Sequence, residues 1–499
     1  MGIKKFFSKI IAQQTRKKVD AWKKDAVNRQ NQTILKITGQ AKNTLFGKDH
    51  DFSNIKSYDD FKKRVPIRDY EGLKPYFDKL VAGEADIFWP GLPKYFSKTS
   101  GTTSGTKYIP ISKESMNHHI VAARDALLLY IHQTGNADFV EGKMIFLQGS
   151  PVMTKKNGIA TGRLSGIVAH HIPAYLQKNR LPSLKTNSID DWETKVDAII
   201  GETIHENMTL ISGIPSWVQF YFERILTQSG KESIKDVFPN FDIFVYGGVN
   251  FEPYRSRFEK LIGKKIDSIE TYPASEGFIA FQDDQKDASL LLNVDAGIFF
   301  EFVPAENYFD ENPPRLSLAE VELNKNYALI MSTNAGLWGY SIGDTVKFTS
   351  LNPYKILVTG RIKHFTSAFG EHVIAEEVEA ALREAVEQYP SEVIEFTVAP
   401  ELNPTEGLPY HEWFIAFAKA PDNMEAFAES IDKTMQKKNV YYADLINGKI
   451  LRPLRITTLK QDAFNAYMKS KGKLGGQNKV PRLSNDRKIA DVLTEWREK

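Results

Sequence analysis

Between Phe96 and Pro110 the chain reads Phe-Ser-Lys-Thr-Ser-Gly-Thr-Thr-Ser-Gly-Thr-Lys-Tyr-Ile-Pro, a run of hydroxyl residues interrupted by two glycines and two lysines. An apolar core has no use for that composition, but a bound phosphate has. Glycines let the backbone approach, backbone N–H groups and hydroxyls donate to phosphate oxygens, and a lysine adds a point charge. Taken alone, the run reads equally well as a solvated turn. It is not a Walker loop, because Gly101 and Gly105 lie four apart and Lys107 is followed by Tyr108. Ser104-x-x-Lys107 has the form of an acyl-serine motif, yet no K-T-G accompanies it and Ser484-Asn485-Asp486 runs in the wrong order.

Three further stretches carry groups that a nucleotide needs. Glu270-Thr-Tyr-Pro-Ala-Ser-Glu-Gly277 offers an aromatic face at Tyr272, hydroxyls, and the carboxylate of Glu276. A base stacks on such a face, and a carboxylate can ligate the Mg²⁺ that accompanies phosphates; a capped turn with a solvated glutamate accounts for the same residues. Tyr340-Ser-Ile-Gly-Asp344 reads as a strand-end turn with one carboxylate. That carboxylate can accept both ribose hydroxyls, or the segment is a plain Gly-Asp hairpin. Gly360-Arg-Ile-Lys363 opens a basic, glycine-hinged linker suited to domain closure. The histidine pairs His118-His119 and His170-His171 are read as structural, since adjacent side chains on a helix diverge and no second histidine completes an H-E-x-x-H.

The elements that must position these groups follow from periodicity. Residues 3–46 read as helix, basic and amphipathic, packed on its own domain or touching a partner or membrane surface. Residues 47–95 are turn-rich. A helix is predicted over 112–133 with Ser112 as N-cap. Strands near 144–148, 210–215, 241–246 and 266–272 alternate with helices at 190–207, 217–226 and up to 262, the pattern of an α/β domain with a largely parallel sheet. From 290 to 358 the pattern is β-rich, and beyond Gly360 helices and strands form an α+β unit of separate-domain size. The expected division is a large N-terminal domain, 1–359, and a small C-terminal domain, 360–499.

Composition removes several function classes. The 499 residues carry 65 basic and 62 acidic side chains, a net +3, which argues against a nucleic-acid surface as the main partner. Cysteine is absent, so disulfides, thiolate catalysis, cysteine-bound zinc and iron–sulfur clusters are excluded. No apolar run has the length of a membrane span, and the start lacks a signal-peptide cleavage site, so the expected location is the cytoplasm. Oligomeric state cannot be read from the chain.

The order of these motifs resembles the adenylate-forming superfamily of acyl-CoA synthetases, luciferases and peptide-synthetase adenylation domains. Within it the chain is most similar to the auxin-responsive (Gretchen Hagen) acyl-acid amido synthetases and their bacterial relatives. The resemblance is carried by Phe46-Gly-Lys-Asp-His50, Val65-Pro66, Tyr70-Glu71, Trp89-Pro-Gly91, Thr99 to Ser104, Tyr272 to Glu276 and Gly476-Gln-Asn-Lys-Val-Pro-Arg482. It implies a luciferase-like fold with a mobile small domain. It also implies a two-step reaction: ATP and a carboxylic acid give an acyl adenylate and pyrophosphate, then an amino acid amine takes the acyl group and AMP leaves.

Carried over, Thr99, Ser100, Thr102 and Thr103 would hold ATP phosphates, Thr271 and Tyr272 would border the adenine, and Asp344 would hold the ribose. Glu276 would bind Mg²⁺, and Lys479 would stabilise charge at the α-phosphate. Gly360, Arg361 and Lys363 would form the hinge. Arg124, Ile214 and Phe278 are candidates for the acyl pocket. Lys363 stands where the superfamily hinge usually has aspartate, Ser341 where arginine often follows the tyrosine, and Asn478 where an aromatic often precedes the lysine. The rivals are an acyl-CoA ligase sharing the adenylation step, and a catalytically silent nucleotide-binding relative.

Overall fold

The computed structural model describes residues 2–102, 105–172, 177–248, 251–362, 365–366, 368–371, 373–471 and 480–498. The chain forms two compact units. The larger takes in Met1–Thr99, Lys107–Ile189 and Lys195–Ile362; the smaller takes in Ser100–Thr106, Asp190–Thr194 and Lys363–Lys499.

The predicted N-terminal helix is two helices, α1 (Ile3–Lys24) and α2 (Ala26–Ala41), broken at Asp25. The sequence reading of 47–95 as turns is corrected: the stretch holds the short helices α4 (Tyr58–Arg64) and α5 (Lys74–Val81), preceded by α3 (Leu45–Asp49). These helices are too short for a periodic signal; Ser57, which accepts from the Asp60 N–H, is the cap that starts α4.

Much of the N-terminal motif resemblance turns out to be core. Phe46 stacks on His50 at 3.9 Å and meets Tyr76 at 5.0 Å, and Phe52 packs edge-on to Trp338 at 4.8 Å. The Trp338 indole N–H, fully buried, donates to the Phe88 carbonyl at 3.0 Å.

Two strands follow, β1 (Tyr95–Thr102) and β2 (Gly105–Ile111), neighbours in one sheet, so the described part of the hydroxyl-rich run is strand. Helix α6 (Lys113–Thr134) starts where predicted, with Ser112 and Ser115 capping each other reciprocally and Gly135, at φ +72°, ending it. The remaining strands of the larger unit are β3 (Lys143–Leu147), β4 (Thr154–Lys156), β5 (Ile159–Gly162), β6 (Arg180–Leu181), β7 (Met208–Gly213), β8 (Ile243–Gly247), β9 (Asp267–Ala274), β10 (Gly277–Gln282), β11 (Leu290–Leu292), β12 (Ile298–Pro304), β13 (Asn326–Thr333), β14 (Tyr340–Leu351) and β15 (Tyr354–Arg361).

Eleven of these strands make one sheet, ordered β12-β13-β14-β15-β11-β10-β9-β8-β7-β3-β6. From β6 to β9 neighbours run parallel, as the alternating helices require. From β9 to β12 every pairing is antiparallel. The β-rich stretch is therefore the continuation of the parallel sheet, not a sheet of its own. Residues of β12 are buried along its whole length. Gln30 of α2 pins this edge, donating to the carbonyls of Val294 and Ile298 and accepting from the Phe300 N–H. A second sheet of four strands has the order β2-β1-β5-β4.

The smaller unit carries β16 (Phe365–Thr366), β17 (Val373–Ile374), β18 (Glu392–Glu401), β19 (Tyr410–Lys419) and β20 (Arg455–Leu459). The last three form one sheet, β18 antiparallel and β20 parallel to β19. Helices Ala375–Gln388, Met424–Lys438 and Val440–Asn447 accompany these strands, as the expected α+β unit requires. Inside, His411 and Glu371 are paired at 2.8 Å with both side chains buried.

Candidate active site

The candidate residues gather where the large sheet changes from parallel to antiparallel. Thr271 and Tyr272 lie within β9, and Ser275-Glu276 is the turn joining β9 to β10. The segment expected to follow a strand thus spans the end of one strand and a hairpin. β8 must end close against it: a Cβ on Gly247 would stand 2.3 Å from the Thr271 carbonyl oxygen, so only glycine fits. The Thr271 hydroxyl donates to the Tyr246 carbonyl at 2.9 Å, and the Tyr246 hydroxyl donates to Glu270 at 3.3 Å.

Asp344 is likewise not in a terminal turn. It sits inside the twelve-residue strand β14, opposite Arg361 of β15. Gly343 just before it holds φ +85°, and its carbonyl accepts from the Ile362 N–H at 2.8 Å. That positive φ is closed to most side chains, so the Gly-Asp pair marks a backbone kink within a strand. Nearer its start the strand is steadied by the N-terminal region. The Arg68 N–H donates to the Gly339 carbonyl at 3.0 Å, and the Ser341 N–H to the Arg68 carbonyl at 2.8 Å.

These elements bring Tyr272 and Asp344 together: the buried tyrosine hydroxyl donates to the buried carboxylate. Glu276, at the adjacent turn, lies 3.5 Å from the Tyr340 hydroxyl. Ser97 of β1 and Ser275 share a hydrogen bond at 2.8 Å, which ties the strand bearing Thr99 to the turn bearing Glu276. Sequence reasoning assigned no role to Ser97, Ser275, Tyr246 or Tyr340. Each lies in or beside a motif, but nothing one-dimensional says that its partner lies some 24 to 178 residues away.

Other expected residues are placed apart from this cluster. Phe278 is the second residue of β10, buried, with its ring 6.5 Å from that of His119 on α6. His119 is buried with no partner for Nδ1 among the described residues, and burial pushes its pKa down to about 4. Ile214 precedes the helix Pro215–Ser229, its carbonyl accepting from Trp217 and Val218 N–H groups. Arg124 is half-exposed on α6 and bonds its neighbour Asp125 at 2.6 Å. The backbones of Ser100 and Thr102 belong to β1, and those of Gly360 and Arg361 to β15. Thr103, Lys363 and Lys479 lie outside the described residues.

Among the described residues no group of three or more histidine or carboxylate side chains is arranged to hold a metal. A lone carboxylate at a turn still fits Mg²⁺, which is bound through one or two carboxylates plus substrate phosphates rather than in a protein cage.

Models of one family match the chain in order: the GH3 family N-terminal domain over 15–189 and 178–266, the central domain over 291–361, and the C-terminal domain over 376–488. Indole-3-acetic acid-amido synthetase GH3.3 of Arabidopsis thaliana is 22% identical over 550 residues, covering 93% of this chain and 90% of its own. Jasmonoyl-L-amino acid synthetase JAR4 of Nicotiana attenuata is 22% identical over 392 residues, covering 65% and 67%. The fold is shared with a GH3.15 acyl acid amido synthetase solved with 2,4-DB, at TM-score 0.61, 17% identity and 96% coverage of both chains. It is also shared with 2-hydroxyisobutyryl-CoA ligase, solved with 2-HIB-AMP and CoA, at TM-score 0.59, 13% identity and coverage of 95% and 91%. Matched in sequence from its first long helices to its last strand, and carrying the adenylate-forming fold, the chain belongs to the GH3 family.

Proposed function

We propose that the chain is an ATP-dependent acyl-acid amido synthetase. A carboxylic acid oxygen attacks the α-phosphorus of ATP and pyrophosphate leaves. The amine of an amino acid then attacks the acyl carbon of the adenylate, gives up a proton, and AMP leaves with the former acid oxygen. The observation that supports this best is the Tyr272–Asp344 pair beside the Glu276 turn, in a chain matched along its length by one family. An aromatic ring and a carboxylate so joined can meet a base and the ribose hydroxyls of one nucleoside.

In this reading Thr271 and Tyr272 border adenine and Asp344 holds the ribose. Thr99, Ser100, Thr102 and Thr103 hold the phosphates, with Lys479 delivered to the α-phosphate. Glu276 would hold Mg²⁺, which supplies charge neutralisation on phosphate oxygens. The chemistry needs no protein nucleophile, because nucleotidyl transfer is accelerated by positioning and charge stabilisation. This agrees with a chain that has no cysteine. The unit beyond residue 360 is assigned the role of a closing lid, with Gly360, Arg361 and Lys363 as hinge. Ile214, Phe278 and Arg124 are assigned to the acyl pocket. Among the described residues no helix is long and apolar enough to cross a membrane. In this reading the enzyme works in the cytoplasm.

The deciding experiment is acid-dependent ATP–pyrophosphate exchange with Mg²⁺, against aryl, indolyl and fatty acids, without amine. Exchange with one class establishes adenylation and names the acid; adding single amino acids then identifies the acceptor by amide formation. ATP binding without exchange for any acid refutes the proposal in favour of a silent binder. Because 2-hydroxyisobutyryl-CoA ligase shares the fold, coenzyme A is run as a competing acceptor, and acyl-CoA release in place of amide would make the chain a CoA ligase.

A further inference from the structure

Helix α1 carries two apolar surfaces, an exposed one over its first turns and a buried one beyond them. One face, Ala12, Thr15, Val19 and Trp22, is buried, and the helix packs on α6 and the 3₁₀ turn Asp138–Glu141. The other presents Ile3, Phe6, Phe7, Ile10 and Ile11 to solvent at 76, 54, 57, 39 and 45% exposure. A helix whose only task is to cover a core puts polar residues there. Five large exposed apolar side chains gathered at the start of one helix make a patch of the kind that marks an interaction site.

The charge around this patch is of one sign. Residues 2–19 hold Lys4, Lys5, Lys9, Arg16, Lys17 and Lys18 and no acidic residue. Lys5 is paired with Asp138 at 2.8 Å and Arg16 with Asp20 at 2.7 Å. Lys4, Lys9, Lys17 and Lys18 are exposed and enter no ion pair among the described residues. A second copy of the same helix would bring like charges together, whereas an anionic lipid surface complements both the lysines and the apolar patch. Interfacial helices have this make-up: apolar side chains sink into the headgroup boundary while lysines meet anionic headgroups.

We propose that the exposed face of α1 docks the protein, peripherally and reversibly, on an anionic lipid bilayer. Ile3, Phe6, Phe7, Ile10 and Ile11 insert, and Lys4, Lys9, Lys17 and Lys18 contact headgroups. The helix is held parallel to the bilayer by its buried face, which stays packed on the protein.

The test is co-sedimentation of the full chain with phosphatidylcholine vesicles and with vesicles of phosphatidylcholine mixed with phosphatidylserine, alongside sedimentation velocity of the free protein. Binding is expected to the mixed vesicles, weakening as salt is raised. The triple variant Phe6→Ser, Phe7→Ser, Ile10→Ser should lower it by at least about tenfold. The quadruple variant Lys4→Gln, Lys9→Gln, Lys17→Gln, Lys18→Gln should lower it by about a hundredfold. Both sets are solvent-facing, so circular dichroism and soluble pyrophosphate exchange should match the parent. Equal binding to neutral and mixed vesicles overturns the proposal, as does no binding to either. A dimer that the triple variant abolishes, without vesicle binding, would show a second copy covering the patch instead.

Discussion

The hydroxyl of Tyr272 bonds the carboxylate of Asp344 although their strands, β9 and β14, are four places apart in the sheet order. At about 4.8 Å per strand a flat sheet would hold them about 19 Å apart. The sheet therefore curls between them, and its irregularities lie on that path: register shifts at Phe278/Ala280, Thr345/Val346 and Phe348/Ser350. Bulges bend a strand and increase its local twist. The curl brings together two side chains that a regular sheet would have kept separate.

The Tyr272 hydroxyl serves to orient Asp344, so Tyr272→Phe should raise the KM for ATP in pyrophosphate exchange by about tenfold, with kcat changed less than about twofold; one hydrogen bond to a charged group is worth about 1.5–3 kcal/mol. Asp344→Ala should abolish exchange and also lower stability by about 1–3 kcal/mol, because it leaves a buried hydroxyl without its acceptor. An unchanged KM in Tyr272→Phe would remove Asp344 from the ribose site.

Gly343 holds a left-handed backbone directly before Asp344. Gly343→Ala should cost about 1–2 kcal/mol of stability, read as a lower thermal midpoint. It should also slow adenylation, by displacing the Asp344 carboxylate. Normal exchange in a destabilised variant would separate the kink from function.

Glu276→Gln keeps shape and removes charge. Its exchange activity should fall by at least about a hundredfold while the folded state is retained, and raised Mg²⁺ should restore part of it. Lys479→Ala should slow adenylation with ATP affinity, measured calorimetrically, within about threefold of the parent, as expected for charge stabilisation confined to the transition state.

His119 is buried, and burial, aided by its neighbour His118, pushes its pKa to about 4. It is neutral in the folded protein, whereas the unfolded chain binds its proton below about 6.5. Between these values the unfolded state holds more protons, so stability is full above about pH 6.5 and is lost as pH falls toward 4, by about 3 kcal/mol at most. His119→Leu should lower the thermal midpoint less than the parent between about pH 7 and about pH 4.5; parallel losses would contradict this.

The N-terminal region shows how a motif can be legible while its purpose is not. Phe46 to His50 and Trp89-Pro-Gly91 mark the family in the sequence, yet in the structure His50 stacks on Phe46 and donates from Nδ1 to the Phe46 carbonyl at 2.9 Å. Their contribution is packing against Trp338, on which the rings of Phe46 and Trp89 both stack at 6.3 Å. Arg124 illustrates the reverse. Its position on α6 is legible, but its engagement with Asp125 is not.

By itself the sequence determined the local elements, because they follow from short-range physics: Ser112 capping α6, the apolar runs of β7 and β8, and Gly135 ending a helix. It also determined the chemical inventory, with hydroxyls, one carboxylate at a turn and no thiol. Tertiary structure alone decided that the β-rich stretch extends the parallel sheet, that Glu276 turns a hairpin, and that Tyr272 reaches Asp344. Those outcomes depend on strand order and curl, which arise from pairing between distant segments and from bulges that displace the register. Side-chain periodicity along one strand carries no information about either.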